Sequence, residues 1–138
     1  MDTLTPAQRS ERMARIRGKD TGPELVVRRM THAMGFRYRL RVKDLPGRPD
    51  LVFRKRRCVI FVHGCFWHRH QACALARLPK SRLEFWCDKL ERNAERDEKN
   101  LELLRRQGWR ALVVWECELK KPELVASKVR HFLEGENV

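Results

Sequence analysis

Long hydrophobic runs are missing from this sequence. No apolar stretch among its 138 residues approaches the roughly 20 residues that a membrane-spanning helix needs. The N-terminal segment, MDTLTPAQRSERMARIRGKD, lacks the apolar middle of a secretory signal peptide. These absences argue against membrane and secreted proteins, and we expect a cytoplasmic protein with no membrane partner.

Acidic residues are scarce relative to basic ones. Lysine and arginine total 31 against 18 acids, which gives a net charge of +13 and a pI of about 10.3. This balance is typical of nucleic-acid-binding proteins, although a merely soluble basic protein also fits. Arginines concentrate near the start of the chain, where Arg12 and Arg15 indicate an arm or helix that follows phosphates.

Internal repeats and low-complexity linkers are also missing. A length of 138 residues fits one domain of ordinary size. We therefore predict a single domain with three parts: a basic N-terminal arm or helix (1–20), a core that carries the candidate catalytic residues (21–120) and a C-terminal helix (121–138).

The apolar pattern predicts a mixed α/β fold. A helix is expected to begin at Thr21-Gly22-Pro23, and alternation over residues 36–40 indicates an edge or half-buried strand. Residues 50–53 form a further short strand, and the apolar runs at 58–63 and 109–115 indicate two buried strands.

A long charged helix is predicted between the last two strands. The spacing of Ser81 and Glu84 is that of a capping box at its start. A hairpin followed by a crossover helix and another strand gives a mixed sheet with helices on its faces. The apolar stripe of this helix is expected at Phe85, Leu90, Ala94, Leu101 and Leu104.

The segment HGCFWHRHQAC (63–73) combines three histidines and two cysteines. An odd total of five cysteines and a cytosolic setting argue against a disulfide framework. Cys65, His70 and Cys73 have a workable spacing for three zinc ligands. If strand 109–115 runs parallel to strand 58–63, Cys117 lies at the same sheet edge and supplies the fourth. The alternative is that these cysteines are incidental and the histidines are polar loop residues.

A second set of residues surrounds the Pro-Asp pair of PGRPD. In nucleases an aspartate at the start of such a strand holds magnesium, so Asp50 is a candidate ligand. The usual acid and lysine on the next strand are absent, because those places hold Phe61 and His63. His63 and His68 lie near the same predicted sheet edge, as hydrogen-bonded structural residues or as proton-transfer groups.

Four segments together resemble the very short patch repair (Vsr) endonuclease family. They are PGRPD, CVIFVHGCFWHRH, EFWCDKLERNAERD and GWRALVVWEC, and the resemblance covers roughly residues 8–120 in order and spacing. It implies a restriction-endonuclease-like mixed β-sheet flanked by helices, with an added structural zinc site. It also implies a nucleoid-associated enzyme that cuts one strand of double-stranded DNA beside the thymine of a T:G mismatch, the product of 5-methylcytosine deamination.

The resemblance also assigns roles to residues. It implies that Asp50 and the backbone carbonyl of Val62 hold Mg²⁺, that His63 and His68 are catalytic, and that Glu24 and Asp97 support the site. The ligands implied for Zn²⁺ are Cys65, His70, Cys73 and Cys117.

The resulting hypothesis is a monomeric, magnesium-dependent nicking enzyme, with mismatch-repair proteins as further partners. Phe66 and Trp67 are predicted to enter the base stack as a wedge beside the mismatch. Trp86 and Met13 either join the wedge or pack in the core, whereas Trp109 and Trp115 are assigned to the core. The alternatives are a restriction or junction-cleaving nuclease of the same fold and a non-catalytic, zinc-stabilised DNA-binding module.

Overall fold

The computed structural model describes residues 21–135. Its elements are helix α1 (Gly22–Ala33), strands β1 (Leu51–Phe53) and β2 (Cys58–His63), a 3-10 turn (Ala74–Ala76), helix α2 (Leu83–Arg106), strand β3 (Arg110–Trp115), a 3-10 segment (Glu116–Lys120) and helix α3 (Pro122–Leu133). The predicted N-terminal arm, with Arg12, Met13 and Arg15, lies outside the described residues. Across residues 21–135, the search for a helix of membrane-spanning length and hydropathy finds none.

The three strands form one mixed sheet in the order β1-β2-β3. β1 pairs with β2 antiparallel, and β2 pairs with β3 parallel, with Cys58 opposite Arg110 and His63 opposite Trp115. Helix α2 makes the crossover between the two parallel strands. The predicted mixed α/β architecture and the parallel pairing are therefore confirmed.

The two faces of the sheet pack into separate cores. Side chains alternate along a strand, so Cys58 and Ile60 of β2 join the apolar cluster that contains residues of α1 and α3. Val59 and Phe61 face the other way, into the cluster that contains Leu104 of α2. By the same alternation, the residues that end β2 and β3 lie on the face covered by α2.

Burial confirms β2 as a central strand and corrects the prediction for β3. All six residues of β2 are buried, whereas Val114 is the one buried residue of β3. β3 lies at one edge of the described sheet, where one side of the strand lacks a neighbour, although the other edge strand, β1, is fully buried.

Two predicted segments differ from the observed ones. Residues 36–40 do not form a strand, because their pairing is limited to one bridge, Arg39 with Val52, after which Arg41 turns the chain at φ 56°. The capping box is also wrong: α2 has Arg82 at its N-cap, in a left-handed conformation with φ 55° and with no side-chain cap bond. Ser81 therefore lies one residue too early to cap the helix.

Part of the excess positive charge serves the fold. Arg57 donates from Nη2 to the carbonyl of Gln107 at the end of α2, at 2.9 Å. Arg56 donates from Nη1 to the carbonyl of Leu133 at the end of α3, also at 2.9 Å. The last carbonyls of a helix have no partner within it, so these arginines act as C-terminal caps.

The turn PGRPD brings the chain close to β2 and α2. Gly47 has φ +77°, and a Cβ there would lie 3.1 Å from the ring of Phe61 and from Cβ of Asn100. A larger residue would push the turn away from both elements. The chain then enters β1 with the backbone N–H of Asp50 donating to the carbonyl of Ile60 at 3.1 Å. Asp50 is thereby held at the edge of β2.

Candidate active site and metal centre

Two clusters of potential ligands lie beyond the carboxyl ends of β2 and β3. In each cluster one ligand atom from every residue lies within 4.8 Å of the others. One cluster consists of Cys65, His70, Cys73 and Cys117, and the other of His63, His68 and Asp97. The parallel pairing of β2 with β3 brings the segments after both strands to one place, as the sequence predicted.

The cysteine–histidine cluster fits a tetrahedral metal ion. Sγ of Cys117 lies 3.4 Å from Nδ1 of His70, and the backbone N–H of Cys117 donates to Sγ of Cys65 at 3.4 Å. Such separations suit ligands that each bind zinc at about 2.0–2.3 Å. Without a cation, burial raises the pKa of Cys65 to about 12, and the nearby sulfurs of Cys117 and Cys73 contribute. A divalent cation would remove this obstacle to ionisation.

The loop that carries His70 contains strained backbone. Arg69 and Ala72 have φ values of 57° and 55°, in the left-handed region. This conformation costs a residue other than glycine roughly 1–2 kcal/mol. The backbone N–H of His70 donates to the carbonyl of Cys65 at 2.9 Å, which closes one turn of the loop. Ligation of His70 and Cys73 by one ion would offset the strain.

His68 and Asp97 form a short hydrogen bond. Nδ1 of His68 lies 2.6 Å from Oδ2 of Asp97, which projects from α2. A carboxylate can only accept, so an ionised Asp97 keeps the proton on Nδ1 and leaves Nε2 as the basic nitrogen. This is the orientation needed for a histidine that takes a proton from a substrate or a water.

His63 lies against His68 and is almost inaccessible to solvent. Their rings stack at 3.8 Å between centroids with an interplanar angle of 5°, and His63 is 5% exposed. Burial, with a smaller contribution from nearby His68, lowers the pKa of His63 to about 4 against the opposing charge of Asp97. Within residues 21–135 its buried Nδ1 has no hydrogen-bond partner. His63 is therefore neutral at pH 7.

Asp50 is a half-buried acid beside a second acid. Its Oδ2 accepts from the backbone N–H of Val62 at 2.6 Å. Burial raises the pKa of Asp50 to about 6, and the negative charge of Glu24 contributes, although the Val62 bond opposes the shift. Glu24 lies in the first turn of α1, and its Oε2 is 3.3 Å from Nη2 of Arg28. Carboxylates in this setting fit a hard divalent cation.

A cleft of about 920 Å³ opens beside these residues. Glu24, Val62, His68 and Asp97 line one part of it, so the structure brings most of the predicted catalytic residues to one cavity. The remaining lining is aromatic and polar, and includes Phe66, Trp67, Phe85, Lys89, Arg92, Asn93 and Arg96.

The aromatic residues form one cluster beside the cleft. The ring of Phe66 lies 5.1 Å from Trp67 and 5.4 Å from Trp86, with edge-to-face angles. Nδ2 of Asn93 donates to the carbonyl of Trp67 at 3.2 Å and ties the loop to α2. Phe66 and Trp67 line the cleft, and Trp86 packs against both of them.

Phe85 and Lys89 are site residues that the sequence pattern missed. Phe85 was expected in the buried stripe of α2, but it is 44% exposed and lines the cleft. Nζ of Lys89 lies 5.8 Å from its ring centroid and 6.0 Å from that of Trp67. The helical spacing of Phe85, Lys89, Arg92 and Arg96 was the available signal, since it places them along one side of α2.

The two tryptophans of the β3 region have different environments. Trp109 is 9% exposed and belongs to the α2-side core, as predicted. Trp115 is only half-buried and belongs to neither described core cluster. Its ring instead contacts the rings of His63 and His70. The assignment of Trp115 to the core is therefore wrong, because β3 is an edge strand.

Fold and site together define an α/β protein with an acid–histidine cluster in an aromatic-lined cleft that carries charges of both signs. The model of the family described as DNA mismatch endonuclease Vsr matches residues 1–75. A type II nicking enzyme, V.XorIIP of Xanthomonas oryzae pv. oryzae, is 47% identical over 133 residues, which cover 96% of this chain and 97% of the relative.

Two further relatives match over most of their length. The type II nicking enzyme V.NmeAIP of Neisseria meningitidis is 41% identical, across 96% of this chain and 94% of the relative. The DNA mismatch endonuclease Vsr of Escherichia coli is 43% identical, across 88% of this chain and 78% of the relative. The chain belongs to the Vsr family, and this membership makes it a DNA endonuclease.

Proposed function

We propose that this protein nicks one strand of duplex DNA beside the thymine of a T:G mismatch and requires magnesium. The observation that carries the proposal is a single cleft in which His68 and Asp97 lie beside the half-buried rings of Phe66 and Trp67. The printed names of the relatives, nicking enzymes and a mismatch endonuclease, support it. One chain supplies every residue of both ligand clusters, so no second copy is needed.

Asp50 and the backbone carbonyl of Val62 would hold the magnesium ion. The N–H of Val62 points at the carboxylate of Asp50, and the N–H and C=O of one strand residue point to the same side. When bound, magnesium would supply neutralisation of the charge that builds on the phosphate during in-line attack. Glu24 adds negative charge near Asp50 and so supports cation binding.

The histidine pair provides the proton transfer. Nε2 of His68 takes the proton of the attacking water, and Asp97 holds the ring and stabilises its charged form. Neutral His63 stacks on His68 and would help to orient that ring toward the phosphate. A positioned base of this kind contributes about 10²–10⁴-fold to a rate.

Phe66 and Trp67 would open the mismatch. Inserting rings between base steps costs a few kcal/mol of stacking, and less at a mismatch that is already weakly stacked. Zinc held by the cysteine–histidine cluster would keep the loop rigid, and Trp86 would support the two rings from α2. Met13, in the N-terminal segment, would enter from the other groove.

The test is cleavage of end-labelled duplexes that carry each mismatch, with and without magnesium. Denaturing gels should show one cut strand, beside the thymine of T:G, only when magnesium is present. Cuts in both strands of a paired duplex would favour a restriction nuclease, and cuts in a four-way junction would favour a junction nuclease. Gel retardation of T:G duplex without any cut would favour a binding module.

DNA affinity should fall steeply with salt. Each phosphate neutralised by a cation contributes a slope near −0.9 to the log–log dependence of affinity on salt. Arg92→Gln in the cleft should therefore make the slope shallower by about one contact. Arg130→Gln serves as the control. Arg130 is an exposed residue of α3 outside the cleft lining, so its loss should leave the slope unchanged. The titration covers roughly 50 to 200 mM salt. A wild-type slope near zero over this range would mean that the cations of the cleft do not contact DNA phosphates.

Trp67→Ala should weaken the preference for a mismatch more than it weakens binding to paired DNA. An aromatic ring stacked on a base contributes about 1–3 kcal/mol, and Trp67 lines the cleft with its ring in the aromatic cluster. Competition gel shifts with T:G and T:A duplexes measure the difference, and Trp67→Phe is the conservative control. An equal loss of affinity for both duplexes would mean that Trp67 does not sense the mismatch.

A further inference from the structure

A continuous series of rings connects the two ligand clusters. Trp115 ends β3 directly opposite His63 of β2, and both side chains lie on the face covered by α2. The indole stacks on the ring of His70 at 4.0 Å and 8°, and it meets His63 edge-on at 5.2 Å and 77°. His63 in turn stacks on His68. Trp115 therefore contacts one member of each cluster.

We propose that Trp115 is a positioning residue that aligns the histidine pair and couples it to the cysteine–histidine cluster through His70. The inference rests on the proposed function, in which His63 and His68 serve the cleavage step. The indole carries out no chemistry itself. It acts by fixing the planes of two imidazole rings whose nitrogens must point at defined partners.

Packing, rather than hydrogen bonding through Nδ1, sets the plane of His63. That atom has no hydrogen-bond partner among residues 21–135. The ring is held by His68 on one face, by Trp115 on an edge and by Phe61 at 5.6 Å between centroids. Removing the indole would leave a gap beside His63 and allow it to tilt together with His68. A misplacement of about 1 Å in a reacting group can cost about 10²-fold in rate.

The same ring orients a candidate metal ligand. The stack on Trp115 fixes the plane in which Nδ1 of His70 approaches Sγ of Cys117 at 3.4 Å. Groups that orient metal ligands typically contribute about 10–100-fold to metal affinity. Loss of the indole should therefore weaken retention of zinc as well as cleavage.

The backbone at Trp115 is anchored independently of its side chain. Its N–H donates to Oε1 of Glu118 at 2.9 Å, and Glu118 is paired with Nζ of Lys128 at 3.0 Å. The strand register with β2 also reaches this residue. A change of side chain should therefore leave the end of β3 in place, so that the variant tests positioning rather than folding.

The test compares Trp115→Met, which keeps apolar bulk without a planar ring, with Trp115→Phe, which restores a ring. Trp109→Met is the matched control, since Trp109 is buried in the α2-side core and contacts neither cluster. Three quantities are measured on zinc-loaded protein: the single-turnover rate on saturating T:G duplex, the Kd for that duplex, and the rate of zinc release to a chromogenic chelator. Thermal unfolding confirms that each variant is folded.

Trp115→Met should cleave about 10–100-fold more slowly with Kd changed by less than about twofold, and should release zinc about 10-fold faster. Trp115→Phe should recover most of both. Trp109→Met should lower Tm yet cleave at the wild-type rate. If Trp115→Met fails to fold, the same comparison is made between Trp115→Phe and wild type, where a smaller loss in the same direction is required.

A wild-type cleavage rate in the ring-free variant would overturn the positioning of the histidine pair. Unchanged zinc release would overturn the coupling through His70. Zinc release does not depend on cleavage, so it decides the coupling through His70 even if wild-type protein fails to cut T:G duplex, a result that would refute the proposed function.

Discussion

Replacing Asp50 with asparagine should abolish nicking and leave mismatch binding nearly intact. The change removes a charged magnesium ligand, and a metal ion at a phosphate contributes several kcal/mol to the transition state, or about 10³-fold or more in rate. The rings of Phe66 and Trp67 and the cations of α2 are untouched, so the duplex should still bind. Any change in affinity for the duplex should be an increase, because the substitution removes a carboxylate that repels the phosphate.

The measurements are a gel shift and a single-turnover cleavage assay on one T:G duplex. Asp44→Asn is the matched control, since Asp44 is an exposed aspartate paired with Arg54 on the surface at 3.2 Å. It should cut at the wild-type rate. Wild-type nicking by Asp50→Asn in magnesium would show that the active site lies elsewhere.

The same variant should be more stable than wild type in magnesium-free buffer, by a margin that grows between about pH 4 and pH 6 and then levels off. The native pKa of Asp50 is raised from 3.8 to about 6, so the folded protein binds this proton more tightly than the unfolded chain. The stabilisation is complete below about pH 4 and is lost as the pH rises through 6, at a cost of up to about 3 kcal/mol. Asparagine avoids this cost and can still accept from Val62. Urea unfolding at pH 5 and pH 8 measures the difference, which should grow with pH.

The cysteine–histidine cluster could be predicted because it depends on simple rules of strand pairing. A crossover helix is the usual connection between parallel strands, and parallel strands end at one edge, so a parallel pairing predicted that Cys65 and Cys117 would be neighbours. The long stretch of sequence between Cys65 and Cys117 does not affect this prediction, because strand pairing alone brings the two residues together. The restriction-endonuclease-like fold implied by the family goes further than the three described strands, and it stays a prediction.

The contact between His68 and Asp97 could not be derived in the same way. It depends on how far α2 extends along the sheet and on which side of the helix faces the loop, and neither follows from periodicity alone. Only the family resemblance pointed to Asp97. Trp115 was missed for a related reason: an apolar run does not reveal whether its strand is central or at an edge.

Cys117→Ala should release the zinc that we propose and disorder the loop at residues 64–73. Cys117 is the ligand contributed from beyond β3, so without it the other three ligands belong to one strained segment in which Arg69 and Ala72 are left-handed. Binding of a structural metal is coupled to folding, and its loss removes the free energy that offsets this strain. Elemental analysis should fall from about one zinc per chain to well below that, as expected for a broken four-ligand site.

Limited proteolysis should then cut the loop in Cys117→Ala but not in Cys87→Ala, whose half-buried cysteine lies on α2 outside both clusters. Cleavage and mismatch preference should fall together, because the same loop carries His68 and the two wedge rings. Reloading wild-type apoprotein should release protons, since the pKa of Cys65 is about 12 without metal and its thiol must ionise to bind. Retention of a full equivalent of zinc by Cys117→Ala would exclude this ligand set. The zinc would then be bound by residues of the loop itself, near Cys65 and Cys73. The residue that follows β3 would not be needed to hold the loop in place.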